Sequence, residues 1–212
     1  WMDVVVENFK PGTMEKWGLG YEDLKKVKED LIYTSNSAYG QFGPYSHRPG
    51  YDTVGQAYGG LMHITGHPDG PPTRTGNAMS DNISAWLGAF GSLAAIIYRN
   101  KTGKGQHVDI AQIDTILYTS ELGILGAAKD IFHWERIGSG HPLATVCDLY
   151  RCKDGYVYII VISESHWARF CRILGREELI EDTRTKTVAA RVQNRKFVDD
   201  VVTVSDEQVI AM

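Results

Sequence analysis

The sequence predicts an α/β domain built on a parallel sheet, already under way at residue 1, followed by a smaller α+β domain. Three observations carry this. Residues 3–9 (DVVVENF) form a β-branched run of the kind that lies in a parallel strand buried on both faces. Residues 3–37 then read strand, helix, helix, strand, which is a βαβ unit. After a weakly patterned stretch, YVYIIVI at 156–162 opens a unit of hairpin type. The expected organisation is a large domain over 1–128, a linker over 129–146 and a small domain over 147–212. The chain opens in core-type sequence (WMDVVV) and ends on VIAM within a helical pattern, so it reads as a piece of something longer.

Each element has a local reason. Pro11 and Gly12 break the first strand, and Thr13 opens a short helix that Gly18 and Gly20 end. Residues 21–27 form a second amphipathic turn or two, and 31–37 (LIYTSNS) the next strand. The loop from Tyr39 to Tyr51 holds four aromatics, three glycines and two prolines. It reads either as an Ω-loop packed by its own rings or as the wall of a cleft, with Arg48 available for an anion. A Gly- and Ala-rich helix over 52–60 continues into 61–64. The helix over about 82–100 carries Ile83, Trp86, Leu87, Phe90, Leu93, Ala94 and Ile97 at 3–4 spacing, with Ser80 or Asp81 as its natural N-cap. Thr102-Gly103-Lys104-Gly105 stops it, QHVDI at 106–110 is a strand, and 111–127 a helix. In the second domain, strands at 148–151 and 156–162 flank a Cys152-Lys153-Asp154-Gly155 turn, and helices follow at 165–174, 177–180, 188–202 and 207–212.

Bulk composition excludes several classes. A net charge of −4 with scattered Lys and Arg leaves no basic surplus for nucleic acid. No apolar run approaches the ~18 residues that a membrane span requires. Three cysteines with no framework spacing read as reduced thiols of a cytoplasmic-type compartment, or of a mitochondrial or peroxisomal one in a eukaryote. There is no CxxC pair or HExxH, and Thr65-Gly66 splits His63 from His67, so no metal site is expected. No GxSxG elbow, Walker loop or GxGxxG is present. The TGKGQ cluster at 102–106 follows a helix, at the wrong end of its dipole for a phosphate, and reads as a C-cap turn.

Asp81 is the principal chemical candidate. At the first turn of a helix the macrodipole attracts a carboxylate by ~0.3–1 kcal/mol. From the residues alone it is either a structural cap or a nucleophile.

Several pieces coincide in order: VVVENFKPG at 4–12, GQFGPYSHRPGYDTVGQAYGGLMHITG at 40–66, TGNAMSD at 75–81 with its helix, and KTGKGQHVDI at 101–110. Together they resemble the class III CoA-transferases, a superfamily that includes the α-methylacyl-CoA racemases. DGYVYIIV and SHWARFCRILG match the family's smaller domain less sharply. The resemblance implies a Rossmann-like parallel-sheet domain and CoA as co-substrate, with no permanently bound cofactor. It implies an acyl-CoA and a small carboxylic acid as partners, and an interlocked homodimer. It matches Asp81 to the family's nucleophile, which passes through an anhydride and an aspartyl-CoA thioester. It matches Asn8 and Phe9 to a strand-end pair lying against CoA, Lys16 to a phosphate contact that is arginine in many members, and Arg48 to a phosphate or pantetheine contact. Tyr51 stands where the racemases carry the histidine of a Gly-His-Asp triplet, here Gly50-Tyr51-Asp52. A phenol is a poor base at neutral pH, so transfer is favoured over racemisation. Gly138-Ser139-Gly140 departs from the long glycine run of oxalate-using members, which leaves His141 and its neighbours to shape an acceptor pocket. The alternatives are a racemase of the same superfamily and a non-catalytic fragment that binds CoA or oligomerises.

Overall fold

The computed structural model describes residues 2–120, 122–152 and 154–209. They divide into two compact units, one formed by residues 1–65 and 70–135, the other by 66–69 and 136–212.

The first unit holds a three-stranded parallel sheet in the order β1 (Val4–Glu7), β2 (Ile32–Ser37), β3 (Gln106–Ala111). Helices α1 (Thr13–Lys16) and α2 (Tyr21–Val27) connect β1 to β2. Helices α3 (Asp52–Tyr58), α4 (Leu61–Ile64) and α5 (Met79–Thr102) lie between β2 and β3, and α6 (Gln112–Thr119) and α7 (Leu122–Ala128) follow. The stretch expected as one helix over 111–127 is thus two, because α6 ends at Ser120, whose hydroxyl turns back to the Leu117 carbonyl at 2.8 Å. The strand ends place Glu7, Ser35 and Asp109 in register, so Asn8, Asn36 and Ile110 come next along one rim of the sheet.

Helix α5 packs the opposite way round from its apolar spacing. Ser80, Ser84, Gly88, Ser92 and Ala95 are its buried residues. Trp86, Phe90, Leu93 and Ile97 are exposed, Trp86 at 71%. The small residues let the helix backbone settle close to the sheet. A Cβ on Gly91 would stand 2.7 Å from Val108 Cγ1, and one on Gly88 3.5 Å from Thr34 Cγ2. Hydroxyls on the inner face also find partners there: Ser92 Oγ with Thr34 Oγ1 at 2.7 Å, and Ser84 Oγ accepting from Asn36 Nδ2 at 3.0 Å. Gly103, at φ 72°, closes the helix by donating its N–H to the Arg99 carbonyl, so the glycine cluster is a helix stop.

Tyr33 on β2 is buried, and its hydroxyl donates to the Leu19 carbonyl at 3.1 Å. Burial first, then the charges of Glu7 and Glu15, pushes the phenol from 10.0 up to about 12. An acid with a raised folded pKa keeps its proton longer folded than unfolded. Its contribution is therefore intact below the unfolded value and is lost as pH climbs from about 10 towards about 12. Urea melts across that window are expected to show falling stability, with Tyr33→Phe removing that part of the fall.

The second unit pairs β4 (Cys147–Cys152) and β5 (Gly155–Ile160) as an antiparallel hairpin. Lys153 of the expected turn lies outside the described residues. The hairpin is followed by α8 (Glu164–Ile173), a 3-10 turn at Glu177–Leu179, α9 (Val188–Gln193) and α10 (Arg195–Val209). Val146, Trp167, Phe170, Cys171, Leu174 and Val198 are among its core residues. The expected helix over 188–202 breaks at Asn194, whose side chain donates to the Ala190 carbonyl at 2.9 Å. Beyond the break, α10 runs through 203–206 without the expected interruption; residues 210–212 lie outside the described residues. Arg191 is fully buried, giving hydrogen bonds to the carbonyls of Thr145 (3.0 Å) and Thr185 (2.8 Å) and lying 5.1 Å from the Trp167 ring centre.

Candidate active site

A cavity of about 590 Å³ opens at the C-terminal ends of β1 and β2, the end at which ligands bind in parallel α/β sheets. Its walls come from five segments. Asn8, Phe9 and Lys10 follow β1, Asn36 and Ser37 end β2, and Arg48 to Tyr51 form the loop before α3. Asp81, Asn82 and Ala85 of α5 and Gln112 of α6 complete it.

Each wall is held by local bonds. The Glu7 carboxylate, buried, accepts the Phe9 N–H at 2.8 Å and so turns the chain after β1. Phe9 packs edge-on to Trp17 with ring centres 5.2 Å apart. The Arg48 guanidinium lies 4.3 Å over the Tyr45 ring, which itself packs against Tyr39 and Tyr58. The aromatic loop is thus packed by its own rings at Tyr39 and Tyr45, while its far end forms a cavity wall. Asn36 Oδ1 and Ser37 Oγ are buried and have no hydrogen-bond partner among the described residues.

Asp81 sits in the first turn of α5, not at its cap. The N-cap is Ala78, whose methyl group offers no hydrogen-bond acceptor. The missing acceptor comes from α3: Asp52 Oδ1 takes the Ser80 N–H at 2.9 Å, while Oδ2 accepts from Gln56 Nε2 at 2.8 Å and stands 3.6 Å from Arg74 Nε. Gln56, fully buried, also accepts from Thr75 N at 3.0 Å and donates to the Asn77 carbonyl at 3.3 Å. The turn that carries Asp81 is therefore bolted to α3, which frees the Asp81 side chain from capping. That side chain accepts a short hydrogen bond from Gln112 Nε2.

Of the residues singled out in the sequence, the cavity brings together Asn8, Phe9, Arg48, Tyr51 and Asp81. Lys16 does not join them: it is exposed on α1 and is not among the lining residues. Sequence reasoning passed over Gln112, Asp52 and Lys10. The available signal for Gln112 was its place directly after a parallel strand.

A carboxylate presented beside a cavity at the strand ends of a parallel sheet defines an α/β protein with a candidate ligand site there. The chain belongs to CoA-transferase family III, whose family model matches residues 1–205. It is 40% identical over 199 residues to the succinyl-CoA:glutarate CoA-transferase of Mus musculus, covering 92% of this chain and 44% of that protein. It is also 40% identical over 199 residues to the succinyl-CoA:mesaconate CoA-transferase of Haloarcula hispanica, covering 92% and 50%. Among solved structures it resembles a CaiB/BaiF family protein from Brucella suis, with a TM-score of 0.81 and 35% identity over 97% of this chain and 55% of that one. It likewise resembles Rv3272 of Mycobacterium tuberculosis, with a TM-score of 0.84 and 31% identity over 96% and 53%. The chain spans about half the length of the curated relatives it matches. No helix among the described residues is long and apolar enough to cross a membrane.

Proposed function

We propose that the protein moves CoA from an acyl-CoA donor to a carboxylic acid acceptor, with Asp81 as the nucleophile. The observation that carries this reading is the Asp81 carboxylate lining the strand-end cavity on a turn capped by another residue. An Asp81 oxygen attacks the thioester carbonyl, and the tetrahedral intermediate collapses to a mixed anhydride and CoA thiolate. The thiolate attacks the aspartyl carbon, expels the donor's carboxylate and leaves an aspartyl-CoA thioester. The acceptor carboxylate attacks that thioester, giving a second anhydride and thiolate again. Thiolate attack on the acceptor's carbonyl then forms the new acyl-CoA and returns Asp81 as carboxylate. Every step exchanges one acyl bond for another, so neither water nor an energy source is consumed.

Asn8, Phe9, Arg48 and Tyr51 are the proposed CoA contacts, with Lys16 reaching a phosphate from α1. Lys10 and Arg48 bring positive charge to a cavity that must accept an anionic cofactor and an anionic acid. The names of the relatives favour succinyl-CoA as donor and a dicarboxylate as acceptor. Tyr51, in place of an imidazole, gives no support to racemisation. A homodimer is the proposed assembly.

The test is to incubate the full-length protein with succinyl-CoA and hydroxylamine and to map the product by peptide mass spectrometry. A hydroxamate on Asp81 is expected. Adduct on another carboxylate, or transfer without any adduct, sinks the reading.

A further inference from the structure

We propose that Gln112 is a positioning residue for the Asp81 carboxylate, holding Oδ1 so that Oδ2 is the oxygen presented for attack. This rests on the reading of Asp81 as nucleophile. Gln112 is 4% exposed, begins α6 directly after β3, and donates from Nε2 to Asp81 Oδ1. Its own backbone is pinned: the carbonyl accepts from Thr115 Oγ1 at 2.7 Å and from Ser80 Oγ at 3.5 Å. Gly55 of α3 closes the other side, since a Cβ there would lie 3.3 Å from Gln112 Cβ. The amide therefore has little freedom to leave the carboxylate.

The choice of an amide is chemically specific. A lysine or arginine at this place would pair with Asp81 and stabilise its charge against attack, whereas a neutral donor orients one oxygen and leaves the other available. The same donor has a second use. Once Oδ2 is bonded to an acyl carbon, Oδ1 is the carbonyl oxygen of the anhydride. When CoA thiolate adds to the aspartyl carbon, the carbonyl electron pair moves onto Oδ1, beside Gln112 Nε2. Collapse returns that pair to the C–O bond as the donor's carboxylate departs with Oδ2. An oxyanion donor of this type contributes on the order of 10²-fold to rate.

The test uses the full-length protein and two variants of nearly the same size: Gln112→Met, which removes the donor, and Gln112→Glu, which sets a second carboxyl group against Asp81. The single-turnover rate of hydroxylamine-trapped adduct is expected to fall about 10- to 100-fold in Gln112→Met and further in Gln112→Glu, with acyl-CoA affinity unchanged within about twofold. A merely structural role would instead lower the melting temperature of both variants and weaken affinity along with rate. A Gln112→Met rate within about twofold of wild type overturns the proposal. A measurement on the wild-type Gln112 stands beside these should the variants not fold: its side-chain amide proton resonance is expected to move upfield in Asp81→Ala, and an unmoved resonance overturns the contact. Loss of adduct in Asp81→Asn, with Gln112→Met unaffected, sinks only the role of Gln112. Adduct that persists in Asp81→Asn sinks the reading of Asp81 itself.

Discussion

Asp81→Asn is expected to lower CoA transfer by at least about 10³-fold, with acyl-CoA affinity changed little. The amide oxygen is nearly isosteric with the carboxylate oxygen and can still face Gln112, so cavity shape is kept. What disappears is the nucleophile's negative charge, and an amide carbonyl adds poorly to a thioester. Because Ser80 takes its cap from Asp52 and not from Asp81, the fold has no reason to suffer: thermal melts of Asp81→Asn and wild type should coincide within a few degrees. Steady-state transfer assays and those melts together check it. A variant that keeps more than about a tenth of the rate is incompatible with covalent catalysis through this residue.

The second large effect is expected from Gly55→Ala, a change of one methyl group in a residue that does not line the cavity. A Cβ there would stand 2.0 Å from Ser80 Oγ and 2.8 Å from Ser80 Cβ. Rotation of the Ser80 hydroxyl leaves the Cβ–Cβ approach in place, so the first turn of α5 must move away from α3. Overpacking of this kind costs about 1–3 kcal/mol. The displaced turn also lengthens the Asp52 bond to Ser80 N–H and shifts Asp81 relative to Gln112. Stability and transfer rate are therefore expected to fall together. Chemical denaturation with a parallel rate measurement tests this. A change confined to stability would mean that α5 and α6 move as one block and carry the site with them.

The strand-end logic of the sheet was legible from the sequence. The βαβ order is plain in the sequence, and the rule that ligands bind at the C-terminal ends of parallel strands marks Asn8, Phe9, Ser37 and the loop ending at Tyr51 as the ligand end of the sheet. The inward face of α5 was not legible by the usual rule, because that rule sends the larger apolar side chains to the core. Here two stripes share the helical period, and the smaller one is buried. Ser80, Ser84, Gly88, Ser92 and Ala95 had the right spacing, but small polar residues are ordinarily taken as a solvent face. Asp52 and Gln112 were hidden for a different reason. Their partners at Ser80 and Asp81 lie 28 and 31 residues away along the chain, and no local pattern encodes a contact of that separation. The capping error at Asp81 follows directly: the sequence displays a good capping residue at the helix entrance, while the true acceptor arrives from another helix. Lys16 was singled out by resemblance alone, and it stands on α1 outside the cavity lining.

The outward-facing stripe of α5 has an optical consequence. Trp86 and Trp17 are wet indoles in the first unit, while Trp167, the second unit's only tryptophan, is 1% exposed beneath the Arg191 guanidinium. Emission from the folded chain therefore combines long-wavelength light from the sheet-bearing unit with short-wavelength light from the hairpin-bearing one. With Trp134, half-buried in the first unit, replaced by Phe, loss of the blue component during denaturation follows Trp167 and so the opening of the second unit.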